Sequence, residues 1–203
     1  MSYLWKTPDK IKQETLDLYP ELHPIVAQLL FNRDLKTQEQ IDEFLNPDYS
    51  QDIHDPFLFA DMDKACIRIY QAIENKELIT VYGDYDADGV SSAVILTSTI
   101  KKLGGQVEAY LPHREKEGYG LNNKAIEELA KNNTKLIITC DCGVSNTEEI
   151  AFANTKNLEV IVTDHHAIPD PLPEALAIIH PQVDKQYPFK FLAGGGVAFK
   201  LAQ

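Results

Sequence analysis

The apolar positions of this chain change rhythm near residue 77. Before that point they recur at helical spacing. His23–Phe31 and Thr37–Leu45 read as short helices, the second opened by Thr37 with Gln40 three residues on, the pattern of a capping box. From Asp61 to Asn75, Met62, Ala65, Ile69, Ala72 and Ile73 fall on one helical face. Beyond it, short β-branched runs alternate with helical stretches. Leu78–Tyr82, Val107–Leu111, Lys135–Cys140, Leu158–Thr163 and Leu176–Ile179 predict strands. Val90–Leu103 predicts a helix closed by Gly104-Gly105, Asn122–Lys131 one capped by Asn122 or Asn123, and Asn146–Lys156 a third. The stretch Gly194–Gln203 begins another. A strand-plus-helix repeat of about 25 to 30 residues is the length of a βαβ crossover. The pattern therefore predicts an α/β fold, a doubly wound and mainly parallel sheet over residues 61–203. A small helical lead-in occupies residues 1–60, set apart by the breaks at Asn46-Pro-Asp48 and His54-Asp-Pro56.

Parallel strands end on one edge of the sheet, and ligands bind in the crevice beside that edge. Four predicted strands here end in chemistry. They lead into Asp84-Tyr-Asp-Ala-Asp-Gly89, Pro112-His-Arg114, Cys140-Asp-Cys-Gly143 and Asp164-His-His166. Residues far apart in sequence should thus meet in one site.

Composition narrows the setting. The chain has 203 residues, enough for one sizeable domain or a domain with a small subdomain. Its longest apolar runs are far too short to span a bilayer, and Met1–Lys12 lacks the apolar core of a signal peptide. Three cysteines, Cys66, Cys140 and Cys142, do not suggest a disulfide framework, so a reducing, cytoplasmic location is expected. The formal net charge of −12 argues against a broad basic surface for nucleic acid. Firm electrostatic grip on a long strand would need a further domain.

Each strand end has a bland reading beside the functional one. Asp84, Asp86 and Asp88 with Gly89 imitate the first half of a calcium loop, but its twelfth position should be Glu and is Ile95, and a strand precedes it. What survives is a strand-to-helix turn with three carboxylates, which a divalent cation would compensate. A solvated acidic turn, or Asp88 as a helix cap, is the alternative. Cys140 and Cys142 lack a second ligand pair for zinc; at least one should face the core, leaving Asp141 as the functional member and Gly143 to make the turn. His165 and His166 follow Asp164 at a strand tip, where one imidazole can bind metal and a carboxylate can fix its tautomer. Oxygen and imidazole donors suit Mn²⁺ or Mg²⁺. Arg114 is shaped for phosphate but also fits a charged surface stretch. Gly194-Gly-Gly196 reads equally as a phosphate cradle or a hinge.

Together the segments Val81–Gly89, Leu111–Arg114, Glu117–Asn122, Asp141–Gly143, Val162–His166 and Leu192–Gln203 resemble the DHH phosphoesterase superfamily, most closely the RecJ single-strand-specific exonucleases. The stretch His23–Arg33, and Asp55–Phe57 with Asp61–Ala65, resemble the RecJ lead-in. The resemblance implies two divalent cations, Mn²⁺ or Mg²⁺, held by Asp86, Asp88, Asp141 and His165, with Asp141 bridging. It implies that His166 faces the scissile phosphate, that Asp84 and Asp164 support catalysis, and that His113 and Arg114 bind substrate phosphate. It implies a metal-dependent phosphodiesterase that degrades single-stranded DNA from the 5′ end in repair and recombination. Single-strand-binding protein and a helicase would be partners.

RecJ proteins carry a further ligand Asp and further DNA-binding domains beyond the point matched by Gln203. The resemblance therefore implies an N-terminal catalytic portion with weak or no processive activity. Two alternatives stay open: a DHH enzyme acting on small phosphates (pyrophosphatase, nanoRNase or cyclic-dinucleotide phosphodiesterase), and an inert replication scaffold of the same fold.

Overall fold

The structure is a computed structural model that describes residue 4 and residues 6–203. The reading of Met1–Lys12 falls in part outside the described residues. Two compact units are present, Met1–Ile53 and His54–Gln203.

Among the described residues the first unit holds three helices, α1 (Gln13–Leu16), α2 (Pro24–Phe31) and α3 (Gln38–Leu45). Its small core is Tyr19, Leu30 and Ile41, with Leu22, Phe31 and Leu35 against it. The capping box at Thr37 and Gln40 is formed as expected. The Tyr19 hydroxyl donates to the Lys36 carbonyl at 2.6 Å, which ties the turn between α2 and α3 to this core.

The second unit opens with a 3₁₀ turn at Pro56–Leu58 and α4 (Met62–Glu74). Then come β1 (Leu78–Gly83), α5 (Ala87–Lys102), β2 (Gln106–Tyr110), α6 (Asn123–Lys131) and β3 (Thr134–Cys140). They are followed by α7 (Thr147–Thr155), β4 (Glu159–Thr163), β5 (Ala177–Ile179) and α8 (Gly194–Ala202). All neighbouring strands are parallel, in the order β2-β1-β3-β4-β5. This is the expected doubly wound sheet. The central strands β1, β3 and β4 are buried along almost their whole length, which is why they read as continuous apolar runs. Strand β2, at the edge, is largely exposed.

Two cores cover the two faces. On one, Met62, Ala65 and Ile69 of α4, Ala93, Leu96 and Ile100 of α5, and Val197, Ala198 and Leu201 of α8 pack on Ile79, Val81, Leu136 and Ile138. On the other, Ala125, Ile126 and Leu129 of α6 with Ile150 and Ala153 of α7 pack on Tyr82, Ile137, Val160 and Val162. Cys140 belongs to the first core and Cys142 to the second, and burial pushes both thiols up. The order of strand addition reverses between β1 and β3, since β1 leads outward to β2 and β3 begins the other half. That is the switch point, where the crevice of such a sheet opens.

Candidate metal centre

The loops after β1, β3 and β4 all open on this switch point. After β1, Asp86 caps α5: its Oδ1 accepts from the amides of Asp88 (2.8 Å) and Gly89 (3.0 Å). The cap is thus Asp86 rather than Asp88, and the helix starts at Ala87, three residues before the expected Val90. Gly89 is required here, because a Cβ would lie 2.5 Å from the Asp84 carbonyl oxygen and 2.6 Å from its nitrogen. The first turn of α5 is pressed directly onto the end of β1.

After β3, Asp141 takes the left-handed conformation at φ 60°, which Asp adopts more readily than most residues. Two hydrogen bonds and a glycine turn fix it. Its amide donates to the Thr163 carbonyl (3.0 Å), the Tyr119 hydroxyl donates to its carbonyl (3.1 Å), and Gly143 at φ 111° completes the turn. After β4, the buried Asp164 organises its own loop. Its Oδ1 accepts from the amides of His165 (2.7 Å) and His166 (3.2 Å), and its Oδ2 from Val144 (2.9 Å).

These loops bring the carboxylates and imidazoles together. Ligand-capable atoms of Asp84, Asp86 and Asp141 lie within 4.8 Å of one another, as do those of Asp141, His165 and His166. Asp141 is common to both groups. His165 Nε2 is 3.0 Å from Asp141 Oδ1 and 3.6 Å from Asp88 Oδ2. Asp88 is held from the far end of the domain, its two oxygens accepting from the amides of Gly194 and Gly195 at 2.7 Å each.

The electrostatics are those of a site built for a cation. Burial, and then the charges of Asp88 and Asp86, push the Asp141 carboxyl up to about 7. Burial also raises Asp84, whose Oδ1 is buried with no hydrogen-bond partner. Leaving such a group unpaired costs free energy unless something compensates it. Burial acts to lower His166, but the hydrogen bond and charge of Asp164, with Asp141 and Asp84, outweigh it and leave the imidazole raised. The oxygen and imidazole donors fit a hard divalent cation.

Of the other expected residues, Arg114 stacks its guanidinium over Tyr85, 5.1 Å from the ring centroid, and its charge acts on Asp84. His113 turns to its own loop, where its Nδ1 accepts from the Glu115 amide (3.3 Å). No described contact joins it to the carboxylates. Two features escaped the sequence reading. Tyr119 lies edge-on to the His166 ring as well as bonding Asp141, and it sits between two positive-φ glycines, Gly118 and Gly120, a signal that marks a shaped loop without naming its target. His180 is fully buried behind the site, with Nε2 2.9 Å from the His166 carbonyl oxygen.

A parallel α/β sheet with a carboxylate–imidazole cluster at its switch point defines a class of open-sheet domain with a divalent-metal type of site. Comparison with known proteins is more specific. The family described as "DHH family, N-terminal domain" matches residues 78–203, and the chain belongs to that family. It is 45% identical over 196 residues to the single-stranded-DNA-specific exonuclease RecJ of Bacillus subtilis, covering 96% of this chain and 25% of that protein. To the Escherichia coli RecJ it is 33% identical over 192 residues, covering 93% of this chain and 32% of that protein. The crystal structure of Thermus thermophilus RecJ in complex with Mn²⁺ superposes with a TM-score of 0.68 at 28% identity, over 93% of this chain and 26% of that one. The chain thus spans a quarter to a third of the length of the relatives it matches. Among the described residues, no helix is long and apolar enough to cross a membrane.

Proposed function

We propose that this chain carries the metal-dependent phosphodiesterase centre of a RecJ-type exonuclease, acting on single-stranded DNA from its 5′ end. The observation that carries the reading is the position of Asp141: buried, at a switch point, and common to two ligand-capable groups. Its setting beside the RecJ resemblance over 96% of the chain favours a DNA substrate over a small phosphate. A cytoplasmic setting, a role in repair and recombination, and single-strand-binding protein and a helicase as partners, belong to the same proposal. A helical lead-in over residues 1–60 and a phosphoesterase domain over 61–203 belong to the same proposal, with the compact units dividing slightly earlier, at Ile53 and His54.

Two divalent cations, Mn²⁺ or Mg²⁺, would be held by Asp86, Asp88, Asp141 and His165, the set the resemblance implies, and by Asp84, whose ligand-capable atom lies with those of Asp86 and Asp141. When bound, they supply Lewis-acid stabilisation of phosphoryl charge and a water of lowered pKa. The protein's own groups do the rest. Arg114 orients a phosphate through its planar fork. Asp164 accepts the Nδ1 proton of His166 (2.8 Å), so Nε2 is the atom that can meet a phosphoryl oxygen. The raised imidazole favours the form with a proton on that nitrogen. Because the Nδ1 proton goes to Asp164, the Tyr119 hydroxyl is free to donate to the Asp141 carbonyl.

The test is hydrolysis in Mn²⁺ of a 5′-phosphorylated single strand, the matching duplex, pyrophosphate and a dinucleotide. The reading expects weak, non-processive release, from the single strand alone, abolished by Asp141→Ala. Preferential cleavage of pyrophosphate or the dinucleotide would assign the small-phosphate alternative instead.

A further inference from the structure

Helix α8 begins Gly194-Gly-Gly196, and its own N-cap residue, Ala193, provides no side-chain cap. The first amides of a helix are left without intrahelical partners and need acceptors. Here the acceptor comes from another helix. Asp88, in the first turn of α5, takes the Gly194 amide on Oδ2 and the Gly195 amide on Oδ1, both at 2.7 Å, across a separation of more than one hundred residues. The phosphate-cradle reading of these glycines is therefore weakened, since two of the amides that a phosphate would use are already donated to Asp88.

The second observation concerns space. Gly194 is buried, and a Cβ there would lie 2.6 Å from Asp141 Oδ1 and 2.7 Å from Asp141 Cβ. At Gly195 the Cβ would stand 3.3 Å from Asp88 Oδ1, and at Gly196 its three nearest neighbours would all be atoms of Leu192, the first a terminal methyl at 3.0 Å. The three glycines are thus unequal. The first makes room for Asp141, the first two grip Asp88, and the third touches neither carboxylate. Val197, Ala198 and Leu201 anchor the helix in the same core as Ala93, Leu96 and Ile100 of α5. The two helix N-termini are in this way locked side by side over the cluster.

We propose that α8 is a positioning element of the metal centre: its first two amides clamp Asp88 toward His165, and the missing side chain of Gly194 sets the place of Asp141. The partial positive charge of a helix N-terminus also offsets the mutual repulsion of these carboxylates. The site is consequently organised before any cation arrives. This rests on the metal-centre reading for its purpose, although the clamp itself is a statement about the metal-free protein.

Two measurements on the 203-residue chain test it. The first is Mn²⁺ titration by calorimetry of wild type, Gly194→Ala and Gly196→Ala, each checked for folding by circular dichroism. Loss of an outer contact that orients a ligand typically weakens metal binding by about 10- to 100-fold, and that range is expected for Gly194→Ala. Gly196→Ala should bind as wild type does. A folded Gly194→Ala with wild-type affinity overturns the proposal. The second is amide hydrogen exchange at Gly194 and Gly195 in metal-free protein, wild type against Asp88→Ala. Slow exchange in wild type and about tenfold or more acceleration in the variant are expected, the loss of about one charge-assisted hydrogen bond. Equal exchange in both overturns the clamp, including where Gly194→Ala fails to fold. If wild type binds no Mn²⁺ while the exchange result holds, the metal reading fails and the clamp stands.

Discussion

Nδ1 of His166 lies 2.8 Å from Oδ1 of Asp164, a carboxylate only 1% exposed. The same carboxylate accepts three backbone amides, those of Val144, His165 and His166. It therefore fixes the tautomer of the imidazole and the shape of the loop that presents it. Asp164→Asn must point an amide NH₂ at one of these donors, leaving buried polar groups unpaired. We predict a loss of about 1–3 kcal/mol in urea unfolding. We also predict that the His166 pKa falls, because the charge and hydrogen bond that raise it are gone. An unchanged imidazole titration by NMR would show that Asp164 does not govern His166.

Asp84 gives a prediction of opposite sign for stability and binding. Its carboxylate is buried, raised by burial, and has an unpartnered Oδ1. In metal-free protein Asp84→Asn removes a strained charge, so the melting temperature in EDTA should rise. Mn²⁺ affinity should fall, because a carboxylate donor is lost. A variant that binds Mn²⁺ as well as wild type would place Asp84 outside the ligand set.

The pH dependence follows from Asp141. Its folded value is raised from 3.8 to about 7, so the folded state takes up the proton more readily than the unfolded chain does. The contribution to stability is therefore fully present below the lower value and is lost as pH rises through about 7. The raised His166 acts in the same direction. In EDTA, melting at about pH 5.5 should exceed melting at about pH 8. Mn²⁺ needs the ionised carboxylate, so its stabilising effect should grow over the same interval. Asp141→Asn should flatten both trends in scanning calorimetry.

Gly89→Ala tests the local geometry. The added methyl would fall within 2.7 Å of three backbone atoms of Asp84, which cannot move like a flexible side chain. We expect destabilisation of about 1–3 kcal/mol in thermal unfolding, together with weakened Mn²⁺ binding, because the loop that carries Asp84, Asp86 and Asp88 must shift. Loss of stability with binding intact would mean that the loop relaxes elsewhere.

The strand–helix alternation after Leu78 was legible because three central strands are buried on both faces and appear as unbroken apolar runs. The strand-end rule made it legible that the segments Asp84–Gly89, Cys140–Gly143 and Asp164–His166 meet, since parallel strands deliver their ends to one edge, whereas the assignment of ligands among them rested on the family resemblance. Helix α5 starts before the apolar pattern shows it, because Ala87, Asp88 and Gly89 carry no apolar periodicity and the cap is Asp86. Tyr119, His180 and the amides of Gly194 and Gly195 were not legible as site groups. Each reaches the site across 14 or more residues of chain, through a loop or helix placed by tertiary packing. Backbone amides carry no mark in a sequence at all. The phosphate-binding role of His113 rested on the family resemblance; in the structure the turn Pro112–Glu117 folds its ring onto its own loop, where Glu117 also accepts the His113 amide at 2.7 Å.

Calorimetric titration of Mn²⁺ into metal-free wild type and into Asp141→Ala tests the central claim most directly. Asp141 is common to both ligand-capable groups, so the account predicts saturable binding in wild type and its collapse at both sites in the variant. Equal binding in the two proteins, or none in either, would contradict a metal centre built on Asp141.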